Sequence, residues 1–256
     1  MSNATVKAPN RLFPRASVDG ADEPHTWSPP SKSFEVRSKT YLNDKVKEDS
    51  GPSLLVLVDA DVFVLANGKH NEKIDRMNAR SDSYVRYLRE ECKDSRRVVV
   101  ITFQMHPRYL VLTFVENDRQ ANNKIEAGQL LNRFFTSDAD GGWSDEYCAQ
   151  RLKLIPRIEN FSVPGVNLNR PIIIANKITT QFFREKDLIE VNIDVFSSRV
   201  ARFIVGYMEA ASTKLVIEMA FTLEGSTAEE LPERALGSVR LSKVDLAEDK
   251  TRTPDL

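Results

Sequence analysis

The sequence predicts an α+β fold: a single domain with a largely antiparallel sheet covered by amphipathic helices. Two alternating strands and the helix between them, all within residues 188–223, support this class. Each of the three segments carries one apolar face, so they can share one core. Alternation of apolar and polar residues is typical of antiparallel sheets, in which one face is often solvated.

Both strands of this central unit show a period of two. In residues 188–195 one predicted face carries Ile189, Val191, Ile193 and Val195, and the other carries Leu188, Glu190, Asn192 and Asp194. In residues 214–223 the apolar face carries Leu215, Ile217, Met219, Phe221 and Leu223. A period of two places alternate side chains on opposite faces of a strand.

The segment between the two strands, residues 197–211, has helical spacing. Ser197 or Ser198 is the predicted N-cap, because a hydroxyl oxygen accepts a hydrogen bond from a free backbone N–H group. The predicted inward stripe consists of Val200, Phe203, Ile204, Tyr207, Met208 and Ala211. Arg199 and Arg202 lie outside this stripe, so we expect them to face solvent.

The remaining elements follow from shorter patterns. Further strands are predicted at residues 34–42, 54–65, 97–105, 109–116, 172–175 and 237–241. Further helices are predicted at 82–93, 123–135 and 145–154, with a helical or irregular piece at 229–236. Loops are expected at 69–81, 138–142 and 157–171. The strands at 97–105 and 109–116 are predicted to form a hairpin.

Composition along the chain indicates one domain with two tails. Residues 1–33 are rich in proline and polar residues and are predicted to be a disordered tail, in which Trp27 is the residue expected to touch the fold first. Residues 34–246 form the predicted α+β domain, and residues 247–256 are expected to fray. No interior linker divides the domain.

The overall composition is that of a soluble protein, and it argues against several functional classes. Hydrophobic residues make up 41%, and the formal net charge of −1 argues against a nucleic-acid binder. No apolar run approaches the roughly 20 residues that span a bilayer. Neither cysteine has metal-ligand spacing, and Cys92 is predicted to lie in the core. We expect no metal and no cofactor, and a cytoplasmic location that includes peripheral attachment to a membrane.

One pair of carboxylates suggests catalysis. Asp59 and Asp61 follow an apolar strand and resemble the nucleophile loop of haloacid-dehalogenase-type phosphatases, in which one carboxylate attacks phosphorus and the other acts as acid and base. Such a site also needs a late acidic motif after a buried strand, and the sequence lacks one. We therefore interpret the pair as strand-end residues and expect no enzymatic activity.

The start of the central helix is the candidate ligand-binding site. Asp194, Ser197, Ser198, Arg199 and Arg202 cluster where the strand meets the helix. Free N–H groups and the helix dipole favour an anion at such a position. The alternative is structural, with the serines capping the helix and Asp194 supporting the turn.

Four short motifs occur along the chain. They are Trp27 followed by Phe34, Val36, Arg37, Tyr41, Leu42, Asp44 and Lys45; RLKLIP at 151–156; EVNIDVFSS at 190–198; and Glu230, Leu231, Pro232 and Glu233 with Leu236 and Gly237. Together they resemble the C-terminal domain of plant enhanced-disease-resistance-two proteins. The resemblance covers roughly residues 27–242.

The resemblance implies a link with lipids, since this domain often follows a PH domain and a START lipid-transfer domain in plants. The present chain resembles the stand-alone form. The resemblance implies a non-enzymatic lipid-binding or membrane-proximal regulatory module, with a lipid or an anionic membrane surface as partner. The alternative is a protein-interaction or scaffold domain without a small ligand. A START-like binder would hold a cavity on the order of 300–1,000 Å³ between helix and sheet.

Overall fold

A computed structural model describes residues 14–17, 23–64, 76–159 and 161–246. The strands are β1 Arg15–Ala16, β2 Thr26–Ser28, β3 Glu35–Arg37, β4 Lys47–Asp49, β5 Leu55–Val64, β6 Val98–Met105, β7 Arg108–Glu116, β8 Leu152–Glu159, β9 Ile172–Ile173, β10 Thr179–Glu185, β11 Leu188–Asp194, β12 Val216–Leu223 and β13 Ala235–Ser242. The helices are α1 Tyr41–Asp44, α2 Tyr84–Glu90, α3 Arg119–Asn122, α4 Glu126–Phe135, α5 Asp145–Ala149 and α6 Arg199–Ala210.

The longer strands form two sheets, which confirms the α+β class. The six-stranded sheet has the order β1-β2-β13-β12-β8-β9, and the five-stranded sheet has the order β10-β11-β6-β7-β5. The pairs β1–β2 and β11–β6 are parallel and the other pairs are antiparallel, as predicted for most of the sheet. The predicted hairpin is present as β6 and β7, joined through His106 and Pro107.

The main core lies between the two sheets. Ile189, Val191 and Ile193 of β11 and Met219 and Phe221 of β12 are all buried in it, so the two central strands share a core although they belong to different sheets. This arrangement explains why each strand has an apolar face. The opposing sheet covers most of that face, together with α4, whose Ala127, Leu130, Leu131 and Phe134 are buried.

The sheets approach closely at Gly237 of β13. A Cβ atom at this position would lie 2.4 Å from a ring carbon of Phe114 in the opposite sheet. The Phe114 ring in turn meets the Phe221 ring edge-on, with 5.9 Å between centroids. Glycine is therefore required here by the close approach of an aromatic ring.

The second face of the five-stranded sheet is also covered, contrary to the expectation of one solvated face. A smaller core on that side contains Val98, Val100, Val111 and Leu188, and α2 contributes Val85 and Leu88 to it. Glu190 and Asn192, on the predicted polar face of β11, are 0% and 1% exposed. The polar residues of this alternating strand are therefore buried in the protein and not exposed to solvent.

Several predicted elements are wrong in type or position. The predicted strand at 34–42 is only β3, followed by α1. Residues 152–159, expected to be a helix end and a loop, form β8 in the interior of the six-stranded sheet, with Pro156 opposite Met219. Strand β10 was not expected, and Cys92 is exposed rather than in the core.

The boundaries of the domain also differ from the prediction. Strand β2 pairs with β13, and Trp27 packs against the main core, so ordered structure begins before residue 34. The shorter β1 pairs with β2. The rest of the predicted N-terminal tail, residues 1–13 and 18–22, lies outside the described residues, as do residues 247–256 and residues 65–75, which include the first part of the loop predicted at 69–81.

Candidate functional site

The five predicted site residues lie together where β11 leads into α6. A short 3₁₀ turn, Val195–Ser197, connects the two elements. The Ser198 hydroxyl oxygen accepts a hydrogen bond from the Ala201 N–H at 3.3 Å and is the N-cap of α6. Ser197 accepts from the Thr179 N–H at 2.8 Å and donates to the Asp194 carbonyl at 2.7 Å. Both serines thus hold the chain as it enters the helix, and a role for them or for Asp194 in ligand binding stays a prediction.

Helix α6 packs on the protein through a narrow side of small and medium residues. Ala201 and Val205 contact the main core, and Met208 is half-buried. None of the helix residues is fully buried. The helix therefore contacts the main core through one narrow side only.

The predicted inward stripe of α6 is wrong for three of its members. Val200, Phe203 and Tyr207 are exposed by 63%, 52% and 46%. The rings of Phe203 and Tyr207 contact each other, with centroids 4.8 Å apart. The physical reason is that α6 carries apolar residues on more than one side, so it can pack through Ala201 and Val205 and still present an apolar strip outward.

Positive charge borders this strip at the start of the helix. Arg199 and Arg202 are both exposed. The Arg202 guanidinium donates to the Phe196 carbonyl at 2.6 Å and lies 5.3 Å from the centre of the Phe196 ring. Glu209, the acidic residue of the α6 sequence, forms an ion pair with Arg108 at 3.2 Å. We define the outer face of α6 as Val200, Phe203 and Tyr207 with Arg199 and Arg202.

The described residues form a pocket beside β5, and this pocket is too small for a lipid. This pocket is lined by Asp59, Asn78 and Arg80 among others, and its volume is about 10 Å³. That volume is about enough for one water molecule. A cavity on the order of 300 Å³ or more is typical of small-molecule sites.

Asp59 and Asp61 lie within β5 and not at its end, which corrects the interpretation from the sequence. Both are buried, and the Asp61 carboxylate forms an ion pair with Arg80 at 3.1 Å. The Arg80 guanidinium also covers the ring of Phe63 at 4.2 Å. The Asp61–Arg80 ion pair holds the segment that follows the 3₁₀ turn Met77–Ala79 on the sheet, and it gives Asp61 a structural contact.

A second polar cluster lies at the far end of β12, around Glu233. The Glu233 side chain is 0% exposed and accepts two hydrogen bonds of 2.7 Å from the Lys153 ammonium group. Its carboxylate also accepts from the backbone N–H groups of Arg37 and Gly225, each at 3.1 Å. Both oxygens of this buried carboxylate thus have hydrogen-bond donors in place of water.

Glu230 lies beside it and is held in the same way. Its carboxylate accepts from the Arg151 guanidinium at 3.0 Å and from the Ser226 N–H at 2.8 Å. Burial by itself raises the pKa of Glu230, but the Ser226 and Arg151 hydrogen bonds outweigh it and hold that pKa below the ordinary value of 4.5. We refer to Arg37, Arg151, Lys153, Glu230 and Glu233 as the ion cluster.

Glu190 shows the opposite balance. It accepts from the backbone N–H groups of Met77 at 3.1 Å and Asn78 at 2.6 Å, and the Arg76 guanidinium lies 3.5 Å away. Burial nevertheless raises its pKa above the ordinary 4.5. The carboxylate therefore anchors the segment before α2 onto β11 at an electrostatic cost.

These features define a class of protein: an α+β domain of two packed sheets, with a buried ion cluster at one end and an exposed apolar and basic helix at the other. The model of the family described as "Protein ENHANCED DISEASE RESISTANCE 2, C-terminal" matches residues 27–245. The chain therefore belongs to the family of the C-terminal domain of ENHANCED DISEASE RESISTANCE 2 proteins.

A curated relative supports the same assignment. The chain is 31% identical over 216 residues to "Protein ENHANCED DISEASE RESISTANCE 2-like" of Arabidopsis thaliana. The match covers 84% of this chain and 28% of the relative, so the chain spans under a third of that protein's length. No solved structure matches the chain. Among the residues described here, no helix is long and apolar enough to cross a bilayer.

Proposed function

We propose that this domain is a non-enzymatic module that associates with anionic membrane surfaces. The outer face of α6 carries the proposal, because two exposed arginines border an exposed apolar strip on one helix. Guanidinium groups bind phosphate oxygens through several N–H donors at once. An arginine near an anionic bilayer contributes about 1 kcal/mol of attraction.

The ion cluster is not part of the proposed membrane-binding surface. Its carboxylates are occupied by Arg151, Lys153 and backbone N–H groups at 2.7–3.1 Å, and Glu233 has no exposed side-chain surface. The serines before α6 are likewise engaged in capping and turn contacts. The functional contribution proposed for the start of α6 therefore comes from Arg199 and Arg202.

Vesicle flotation with the full chain tests the proposal. We expect the protein to float with phosphatidylcholine–phosphatidylserine vesicles and not with phosphatidylcholine vesicles. Arg199→Ala combined with Arg202→Ala should weaken flotation, because both positive charges are lost from the outer face. The matched control is Arg86→Ala with Arg96→Ala, which removes the same charge from exposed positions elsewhere and should leave flotation intact.

Failure of the unaltered protein to float with anionic vesicles would reject the membrane proposal. The protein-interaction alternative would then take its place, with the same outer face as the contact surface. Equal loss of flotation in the test and control variants would show that net charge, and not this helix, determines attachment.

A further inference from the structure

The exposed apolar residues of α6 share one narrow sector of the helix. At about 100° per residue, positions 200, 203 and 207 fall within an arc of about 60°. Ala201 and Val205, which contact the main core, lie on the opposite side of the same helix. The apolar strip consequently points away from the protein and is centred on its outward direction.

Two small residues lie beside the apolar strip on the outward side of α6. Gly206 and Ala210 are exposed and lie next to the ring pair on the wheel. A Cβ atom at Gly206 would meet no heavy atom within 4 Å, so no contact inside the fold requires glycine there. Glycine within a helix is less favourable than alanine. A glycine at position 206 would allow a flat external surface to come close to the helix backbone between the protruding side chains.

The charge at the border of the strip selects an anionic partner. By the same spacing Arg199 lies about 40° from the edge of the strip at Phe203, and Arg202 lies about 100° from it. Glu209 forms an ion pair with Arg108. Basic residues flanking an apolar helix face are typical of helices that lie in the interface of an anionic bilayer. The long side chains of arginine reach the headgroup phosphates while the helix lies lower.

The size of the strip favours a bilayer over a protein partner. Twelve residues give a helix about 18 Å long and about 10 Å wide, hence a footprint on the order of 200 Å². A stable protein–protein interface buries about 800 Å² on each partner. A membrane needs no such area, because a few inserted side chains and the attraction of the arginines act together.

We infer that α6 lies flat on an anionic bilayer and inserts Val200, Phe203 and Tyr207 into the boundary between headgroups and acyl chains. This inference rests on the proposed function and names the surface and depth of contact. The expected depth is about 5–10 Å, as for other interfacial helices. Arg199 and Arg202 then lie at the level of the phosphates.

Tryptophan fluorescence tests the insertion directly. Phe203→Trp places a reporter in the strip, and Val56→Trp places one at a position that is 44% exposed on strand β5. Trp27 and Trp143 pack within the fold, so the unaltered protein supplies the background signal. With phosphatidylcholine–phosphatidylserine vesicles, we expect a blue shift for Phe203→Trp, and stronger quenching by lipids brominated near the headgroup than by lipids brominated near the chain end.

The outcomes separate the two proposals. Quenching of the tryptophan in both Phe203→Trp and Tyr207→Trp, without quenching in Val56→Trp, supports insertion of α6. Flotation without quenching at either position, or with equal quenching in Val56→Trp, overturns the insertion and leaves membrane association standing. Absence of flotation for the unaltered protein overturns the proposed function and this inference together.

Discussion

The ion cluster and the outer face of α6 lie at opposite ends of strand β12 and differ in how their charges are used. In the ion cluster, Glu233 and Lys153 are buried and satisfied by each other and by backbone groups. On α6, Arg199 and Arg202 face solvent beside apolar side chains. A buried charge without its partner is costly, whereas an exposed charge can be removed with little effect on folding.

The two regions therefore have different roles in this chain. Arg37, Arg151, Lys153, Glu230 and Glu233 come from the opening, middle and closing motifs and converge on one buried cluster. They hold distant parts of the chain together. The outer face of α6, which follows the signature at 190–198, is in contrast exposed to solvent. Binding is therefore expected to reside in α6 and stability in the ion cluster.

The largest expected effect is at Glu233. Glu233→Ala removes both 2.7 Å hydrogen bonds of the buried Lys153 ammonium group, which keeps the Glu224 carboxylate at 3.5 Å, and it removes the acceptor of two backbone N–H groups. We expect the free energy of unfolding to fall by about 3–5 kcal/mol, measured by urea denaturation. Glu229→Ala, at an exposed neighbouring position, should change it by less than about 0.5 kcal/mol. Similar small effects at both positions would contradict the structural role of the cluster.

The second effect concerns affinity and not stability. Arg199→Ala with Arg202→Ala should lower the partition coefficient for anionic vesicles roughly 30-fold, since each arginine contributes about 1 kcal/mol. The effect should shrink as salt is raised, because exposed charges are screened. Vesicle titration at two salt concentrations measures it. A loss that is independent of salt would argue against an electrostatic role.

The third effect is a difference in pH dependence between Glu190 and Glu230. The folded-state pKa of Glu230 is lowered, so its contribution is complete above pH 4.5 and is lost as pH falls through the folded pKa. The folded-state pKa of Glu190 is raised by burial, so the protein loses stability as pH rises above 4.5 towards that pKa.

Glutamine variants reveal these opposite signs. Relative to the unaltered protein, Glu190→Gln should gain stability as pH rises above 4.5, whereas Glu230→Gln should lose stability as pH rises towards 4.5. Urea unfolding on both sides of that pH measures the two differences. The same sign in both variants would mean that the two carboxylates have similar environments.

The smallest expected effect is on the stability of α6 variants. Phe203→Ser with Tyr207→Ser removes exposed apolar surface and should shift the free energy of unfolding by less than about 0.5 kcal/mol. Thermal unfolding measures the shift, and Phe221→Ser, in the buried core, is the matched control with a loss of about 3–5 kcal/mol. A large loss in the α6 variant would show that its rings support the fold.

Much of the fold was predictable because the alternation in 188–194 and 216–223 reports two strands whose apolar faces share a core. The prediction failed at β8, since Pro156 suggested the end of an element; the proline is nonetheless accommodated opposite Met219. The outward strip of α6 was missed because apolar residues occur on two sides of that helix. The presence of Ala201 and Val205 beside Phe203 and Tyr207 was the available signal.

The burial of Glu190 was missed for a different reason. A polar residue on an alternating strand is usually solvated, and its partners, the backbone N–H groups of Met77 and Asn78, are distant in sequence. The ion cluster was likewise invisible in the sequence, because it joins residues up to 196 positions apart. Tertiary contacts of this kind leave no local pattern.

The length of β12 has a geometric consequence for a membrane-attached domain. The strand begins just after α6 and ends next to Glu224 and the ion cluster, and its eight residues extend about 25 Å. Only four residues, 195–198, separate α6 from β11, so the helix cannot lift far from the sheets. The strand therefore separates α6, the proposed contact with the bilayer, from the ion cluster by a distance on the order of 25 Å.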